Sequence, residues 1–144
     1  MTFREIEFGS EDFRRECELR QAVLRVPMGL NLYQEDLGLE RMQLHFGGFD
    51  VGNHLLACVV AVPLSSTEAR VRQMAVRQEL QGKGYGRTIL RRLESHLAGR
   101  GFRHLNLHAR LIASGFYEKM GYERSGHEFL ELGIPHIRME KNIS

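Results

Sequence analysis

The sequence predicts one domain of mixed α/β (α+β) type, in which helices flank a mixed, mostly antiparallel, twisted sheet. Short runs with strand-like alternation of apolar and polar residues outnumber runs with helical spacing, and helical runs fall between strands. The length of 144 residues suits one domain, and no linker, repeat or low-complexity tract divides the chain. Residues 1–144 are therefore predicted to form a single domain.

The chain is predicted to begin with a strand at residues 2–8 and a helix after it. Ser10 is a suitable N-cap, because its hydroxyl can accept a hydrogen bond from the first helical turn. Apolar residues with a spacing near four continue the helix to about Leu24, and Pro27 breaks it. Residues 29–41 are predicted to be a loop or a short helix.

Two strands are predicted next. From Met42 to Phe46 the apolar residues alternate with polar ones, as in a half-buried strand. Gly47-Gly48 follows and favours a bulge or a turn. Residues 55–62 are all apolar and predict a central strand, which Pro63 ends because it cannot donate to a strand ladder.

The strand predicted at residues 69–76 contains a change of phase. Ala69 and Val71 share one face, and Met74 and Val76 share one face, but the two pairs are out of phase. A slip of one residue near Arg72-Gln73 is what a β-bulge produces, although a polar interruption in an ordinary edge strand gives the same pattern. We expect the bulge to free backbone groups for a ligand.

A glycine-rich turn, Gln81–Gly86, leads from this strand into a helix. Free N–H groups and the positive end of the helix dipole would converge there, which suits a phosphate or pyrophosphate. Lys83 and Arg87 add positive charge. The spacing matches neither the Walker motif nor the dinucleotide fingerprint. The apolar face of the helix contains Ile89, Leu90, Leu93 and Leu97.

The C-terminal part predicts three strands and a short helix. Leu105, Leu107 and Ala109 alternate with polar residues and predict a strand with one polar face. The predicted helix has its apolar face at Ile112, Phe116 and Met120 and ends at Gly121. Two closing strands are predicted at residues 122–125 and 136–141.

Composition excludes several classes of function. The net charge is only +2, Trp is absent and no long basic run occurs, so no nucleic-acid partner is expected. The longest apolar run has eight residues, far short of the ~20 that span a bilayer, and Met1–Leu19 has no apolar signal segment. Cys17 and Cys58 predict buried free thiols in a reducing compartment, so a cytoplasmic location is expected. No H-E-x-x-H motif occurs, and no metal site is expected.

Two motifs resemble those of the GNAT N-acetyltransferase superfamily. Gln81-x-x-Gly84-x-Gly86 resembles its Q/R-x-x-G-x-G/A acetyl-CoA signature, and Ala113–Tyr122 resembles its A-x-x-F-Y-E-K-x-G-F/Y segment. The two motifs have the usual order and distance. Phe129–His136 is further similar to an ElaA-like bacterial branch.

The resemblance implies a GNAT-like fold with a bulge in its central cofactor strand. It also implies the transfer of an acetyl group from acetyl-CoA to a primary amine, by direct attack in a ternary complex. The implied partner is a small-molecule or peptide amine, and a homodimer is an option because dimers are common in that family. The cofactor-binding residues implied are Met74, Ala75, Val76, Gln81, Gly82, Lys83, Gly84, Tyr85, Gly86, Arg87, Thr88, Ser114 and Tyr117.

The resemblance also assigns Tyr117 as the general acid that protonates the leaving thiolate; the alternative is a tyrosine that only packs on the cofactor. One position departs from the family pattern. Arg110 stands where many relatives carry asparagine, so the cofactor contact usual there is open, and Ser114 is the candidate in its place.

The general base and the acceptor are less well defined. His108 is the first candidate for the base, because it lies on the polar face of its strand and histidine transfers protons near neutral pH. His45, His136 or a water chain are the alternatives. The acidic group Glu35, Asp36 and Glu40 either attracts a cationic amine or is solvated surface. A silent CoA-binding regulatory domain and, less well supported, a nucleotide-binding module remain alternative functions.

Overall fold

The computed structural model describes residues 1–144, which form one open seven-stranded sheet with three α-helices. The strands are β1 (Thr2–Ile6), β2 (Leu44–Phe49), β3 (Leu55–Pro63), β4 (Glu68–Val76), β5 (His104–Arg110), β6 (Glu123–Glu131) and β7 (Ile134–Asn142). The helices are α1 (Glu11–Arg20), α2 (Tyr85–Gly99) and α3 (Ser114–Lys119).

The order of strands across the sheet is β1-β2-β3-β4-β5-β7-β6. Only β4 and β5 are parallel, and the other neighbours are antiparallel. The α2 helix supplies the crossover between the two parallel strands, as such a connection requires. These findings confirm the predicted mixed, mostly antiparallel sheet flanked by helices.

The two longer helices cover opposite faces of the sheet. All four predicted apolar residues of α2 are fully buried in the main core, together with Ala57, Val59 and Ala61 of β3. Phe13 and Cys17 of α1 belong to a second cluster with Ile6, Phe49 and Leu55. Because successive strand residues point to opposite faces, β3 is buried on both sides. Its continuous apolar run is the sequence signal of that position.

The predicted bulge in β4 is present at Gln73. The pairing with β3 slips between Cys58 and Val60, and Gln73 has a φ of 55°, in the left-handed region. The inserted residue changes the alternation. As a result, Met74 and Val76 pack on the same core cluster as Ala69 and Val71.

The parallel strands β4 and β5 separate just before the bulge. Their pairing runs from Glu68 and His104 to Val71 and Leu107, and no pair follows. From Arg72 onward, the edge of β4 that faces β5 therefore has no strand neighbour. The gap opens in the middle of the sheet, where β4 is the fourth of seven strands.

Several local predictions differ from the structure. The predicted first helix stops at Arg20, and a wider helical turn, Gln21–Arg25, follows it. Met42 lies in the 3₁₀ turn before β2 and is 84% exposed, so its place in that strand was wrong. Ile112 is 93% exposed because α3 begins only at Ser114; the predicted apolar face of that helix was wrong, and only Met120 of its three residues is buried.

The closing strands are much longer than predicted. They form a hairpin whose two-residue turn, Leu132-Gly133, has positive φ at both positions, as in a type I′ turn. The predictions for Ser10 and for the two cysteines are confirmed. Ser10 caps α1 through Phe13, and both cysteines are free and buried. No helix combines the length and the apolar character needed to cross a bilayer.

Candidate active site

The turn between β4 and α2 presents a row of unpaired backbone donors. Gly84 is the N-cap of α2, and Gly82 and Gly84 have φ values of 78° and 92°, which side chains disfavour. The first main-chain bond of the helix is from Thr88 to Gly84, and no N–H group from Gly82 to Arg87 donates to another residue. Such a row of N–H groups at a helix N-terminus can hold an anion.

Side chains fix this turn against the strand that precedes it. The amide of Gln81 donates to the carbonyl oxygen of Val76 at 3.1 Å, which joins the turn to the end of β4. The Thr88 hydroxyl donates to the carbonyl of Gly84 at 3.0 Å. Lys83 and Arg87 are exposed and form no ion pair, so both cations remain free for a ligand.

A cleft of about 1250 Å³ lies where β4 and β5 separate. Residues 71–74 of β4 and 107–110 of β5 line it, together with Tyr117 and the segments before β2 and between β6 and β7. Gly86 lies close to one edge of this region, because a Cβ atom there would be 4.0 Å from the side chain of Met74, which lines the cleft. The turn and the cleft are thus at the two ends of the unpaired part of β4.

Tyr117 lies on α3 at the wall of the cleft. Its ring packs edge-on against Phe116 and Tyr122, with centroid distances of 5.0 and 5.9 Å. Burial raises the pKa of Tyr117 to about 12, so the phenol is protonated at neutral pH. The hydroxyl makes no hydrogen bond to the protein, which leaves it free to donate to a ligand.

His108 belongs to a small network on the polar face of β5. Its Nδ1 lies 3.1 Å from a carboxylate oxygen of Glu131, and the second oxygen of Glu131 lies 3.4 Å from Nε2 of His136. His136 donates from Nδ1 to the carbonyl oxygen of Ile134 at 2.7 Å. If Nδ1 of neutral His108 carries the proton towards Glu131, its Nε2 is the basic atom.

A family model described as an acetyltransferase (GNAT) domain matches residues 46–143, which is more than half of the chain. The chain belongs to the GNAT acetyltransferase family. This membership confirms the resemblance found in the two motifs, and acyltransferase, the predicted enzyme class, is the class of that family.

Sequence relatives agree with this membership. Over 76 residues the chain is 37% identical to the uncharacterised protein YyaT of Bacillus subtilis, and this segment spans about half of each protein. A candidate acetyltransferase of the same organism is 28% identical over 142 residues, covering 91% of this chain and 90% of its own length.

Solved structures show the same fold. A candidate N-acetyltransferase from Lactobacillus plantarum covers all of both chains with a TM-score of 0.87 and 25% identity. ElaA of Escherichia coli, covering 97% of this chain and 98% of its own, has a TM-score of 0.84 and 19% identity, which supports the similarity to ElaA at the level of the fold. An aminoglycoside 6′-N-acetyltransferase crystallised with coenzyme A covers 100% of this chain and 98% of its own, at a TM-score of 0.81 and 17% identity.

The acidic residues before β2, namely Glu35, Asp36 and Glu40, do not form a free surface for binding a cation. Glu35 accepts from Arg25 at 2.7 Å, and Glu40 accepts from Arg20 at 2.6 and 2.8 Å. Asp36 accepts from the backbone of Gly38. The hypothesis that this group attracts a cationic amine is therefore wrong for the two glutamates, whose charges are already matched.

His45 is also unsuited to be the base. It is almost fully buried, with Nδ1 3.0 Å from Glu16 and Nε2 3.0 Å from the carbonyl oxygen of Glu40. Burial by itself lowers the pKa of His45, but the bond to Glu16, its charge and the Glu40 carbonyl outweigh that effect, and the pKa is raised. Both nitrogens are engaged away from the cleft.

Glu16, Glu40 and His45 bring three possible metal ligands together, but the place of a cation is taken. The Arg20 guanidinium donates to both carboxylates and is itself fully buried. We call these four residues the buried tetrad. The guanidinium thus supplies the positive charge that a metal ion would bring to the two carboxylates.

Of the predicted cofactor residues, the turn from Gln81 to Thr88 and the strand from Met74 to Val76 lie along one continuous path. Ser114 is different, because its hydroxyl donates to Leu111 and accepts from Arg124, both at 2.8 Å. Arg110 points to the N-terminal segment, where it contacts the sulfur of Met28. Sequence reasoning missed Glu131 as the partner of His108, since pairing across a hairpin of unknown length has no local signal.

Proposed function

We propose that the chain is an acetyl-CoA-dependent N-acetyltransferase that moves the acetyl group to a primary amine by direct attack in a ternary complex. The observation that carries this proposal is the continuity of the site. A turn with free N–H groups, an unpaired strand edge and a cleft lined by Tyr117 and His108 follow one another. That order matches the pyrophosphate, pantetheine and thioester of the cofactor.

The cofactor would bind mostly through the backbone. Residues 82–87 offer N–H groups to the pyrophosphate, while Lys83 and Arg87 add charge. The β4 edge around Met74–Val76, which has no strand neighbour on the β5 side, offers N–H and carbonyl groups to the amides of pantetheine. The relative of the same fold that was crystallised with coenzyme A supports this use of the cleft.

Direct transfer requires one bond to form and one to break. The amine nitrogen attacks the thioester carbon, and the carbon–sulfur bond then breaks. A backbone N–H at the bulge is suited to stabilise the developing oxyanion, because the strand edge there is free. Holding both reactants in one cleft supplies a large share of the acceleration.

Tyr117 is proposed to protonate the leaving thiolate. A phenol with a pKa of about 12 is a weak acid compared with an ordinary thiol of pKa about 8.5. Burial raises a thiol's pKa in the same way, as it does for Cys58 in this protein. In a closed site the two acidities therefore approach each other, and the proton can pass to sulfur.

His108 is proposed to accept the proton of the amine at Nε2. Glu131 would act as a positioning residue, because its bond to Nδ1 holds the ring and stabilises the imidazolium that forms. The expected partner is a small-molecule or peptide amine. Two free, buried thiols are compatible with a reducing, cytoplasmic setting.

The test has two parts. The first is a thermal shift with acetyl-CoA, CoA, ATP and NAD; a ligand at about a hundred times its Kd adds ~2.7 kcal/mol, which raises the Tm by several degrees. A shift with acetyl-CoA and CoA alone identifies the cofactor, and no shift with either contradicts the proposal. The second is thiol release across an amine panel. Cofactor binding without thiol release would favour the silent CoA-binding domain instead.

A further inference from the structure

The cleft carries more positive than negative charge. Four arginines line it, namely Arg25, Arg70, Arg72 and Arg110, whereas only two carboxylates do, Glu35 and Glu131. With neutral histidines this is an excess of two positive charges. A cleft with this balance attracts anions and repels cations.

Both carboxylates are already engaged by groups of the protein. Glu35 forms a two-point ion pair with Arg25, with nitrogen–oxygen distances of 2.7 and 3.2 Å. The two oxygens of Glu131 face His108 and His136. Arg25 thus matches the charge of Glu35, and Glu131 is the one carboxylate of the cleft set against the other three arginines.

The three remaining arginines have no carboxylate partner. Arg70 is half-buried and donates from Nε to the neutral amide oxygen of Asn106 at 2.8 Å. Arg110, also half-buried, contacts the sulfur of Met28, a weak acceptor, at 3.0 Å. Arg72 is exposed and makes no hydrogen bond to the protein. A half-buried guanidinium with only neutral partners is a strong site for an anion.

These arginines flank the proposed base. Arg70 is opposite Asn106 in the parallel register, and Arg72 and His108 are the next residues of the same face on β4 and β5, where the two strands separate. Arg110 is two residues further along β5, about 7 Å from His108 by strand rise. An anion held by Arg72 or Arg110 would leave an amine a few bonds away within reach of the imidazole.

We propose that the acceptor is a small primary amine that also carries an anionic group, a carboxylate or a phosphate, bound by Arg70, Arg72 and Arg110. This inference rests on the proposed function, since it names the substrate class of the same site. The planar fork of arginine binds either anion through two parallel bonds. A polycationic amine, such as an aminoglycoside or a polyamine, would be repelled.

Binding and turnover are measured separately to test this. Calorimetry is carried out on the protein saturated with CoA. Amino acids, including β-alanine, are compared with their methyl esters, and 2-aminoethyl phosphate is compared with ethanolamine. Spermidine represents the polycations. The anionic members are expected to bind at least about tenfold more tightly than their neutral partners, as for charged hydrogen bonds. The carboxylate and phosphate arms then show which anion is preferred.

Variants test which arginines bind the anionic group of the amine. Arg72→Gln and Arg110→Gln should each weaken binding of the preferred anionic amine by about tenfold or more and leave its ester unchanged. Arg100→Gln is the matched control, because Arg100 is exposed and pairs with Glu5, far from the cleft. Equal binding of esters and acids, equal losses in all three variants, or binding by none of the anionic amines would overturn the inference. If neither acetyl-CoA nor CoA raised the Tm, or if no amine led to thiol release, the result would instead count against the proposed function.

Discussion

His108 and Glu131 are joined across the β5–β7–β6 part of the sheet, with Nδ1 of the histidine 3.1 Å from a carboxylate oxygen. The ring of His108 also packs edge-on against Phe129, at a centroid distance of 5.0 Å. The imidazole is thus fixed in position by one polar and one aromatic contact. Its side chain remains 28% exposed at the cleft.

Removing either member of this pair should change catalysis in a different way. His108→Gln is expected to lower kcat by roughly 10²- to 10⁴-fold and to remove the acid limb of the pH–rate profile. Glu131→Gln should lower kcat less, because the amide oxygen still accepts a hydrogen bond from Nδ1 and holds the ring. Steady-state thiol release over a pH series measures both. Glu128→Gln, exposed on the same strand, is the control, and an unchanged profile in His108→Gln would rule out the assigned base.

Tyr117→Phe should affect the chemical step rather than cofactor binding. The phenyl ring keeps the contacts with Phe116 and Tyr122, so the fold and the Kd for acetyl-CoA should not change. Loss of the proton donor is expected to lower kcat by roughly 10²-fold or more. Tyr33→Phe, an exposed tyrosine outside the cleft, should behave as the unaltered protein does. Full turnover in Tyr117→Phe would show that the phenol only packs.

The buried tetrad should make stability depend on pH. The pKa of His45 is raised in the folded state, so the folded protein holds this proton more tightly than the unfolded chain. The stability it contributes is complete below the unfolded pKa, about 6.5, and is lost as pH rises through the higher folded pKa. Urea unfolding of His45→Gln should show a flatter decline over this window than the native chain.

The control for that experiment is His54→Gln, because His54 is exposed and pairs only with Asp50. It should follow the native curve. If His45→Gln lost as much unfolding free energy as the native chain when the pH rises above about 6.5, the tetrad would not be the source.

A glycine-to-alanine substitution should have opposite effects on the free energy of unfolding at the two ends of α2. Gly84→Ala places a side chain at a φ of 92° and should lower the free energy of unfolding by about 1–2 kcal/mol, although the new Cβ meets no atom within 4 Å. Gly99→Ala, where φ is not positive and the space is equally open, should raise it by about 0.5–1 kcal/mol. Urea denaturation measures both, and a loss of stability in each would show that backbone conformation is not the cause.

The elements best predicted from sequence are those with local causes. The run at residues 55–62 is apolar because β3 is covered on both faces, and the phase change at Gln73 is visible because a bulge inverts the alternation. The apolar face of α2 is buried as predicted. In each case the surroundings of one element determine the spacing of its own apolar residues, so the sequence of that element is enough to predict them.

The missed features depend on distant residues. β6 is long but mostly polar and exposed, so no alternation marks it, and its length is set by pairing with β7. The pairing of Glu35 with Arg25 and of Glu40 with Arg20 joins residues ten and twenty positions apart in the chain. Charge patterns could not show that this acidic group is neutralised internally.

The buried tetrad and the bond from Leu32 to the side chain of Gln21 fix the segment before β2 to α1 and to the first strands of the sheet. This segment forms one wall of the cleft and lies outside residues 46–143, which the family model matches. Its anchoring uses no residue of the Gln81–Gly86 turn. This wall is therefore held independently of the turn before α2, so a change in its sequence can reshape the cleft and leave that turn in place.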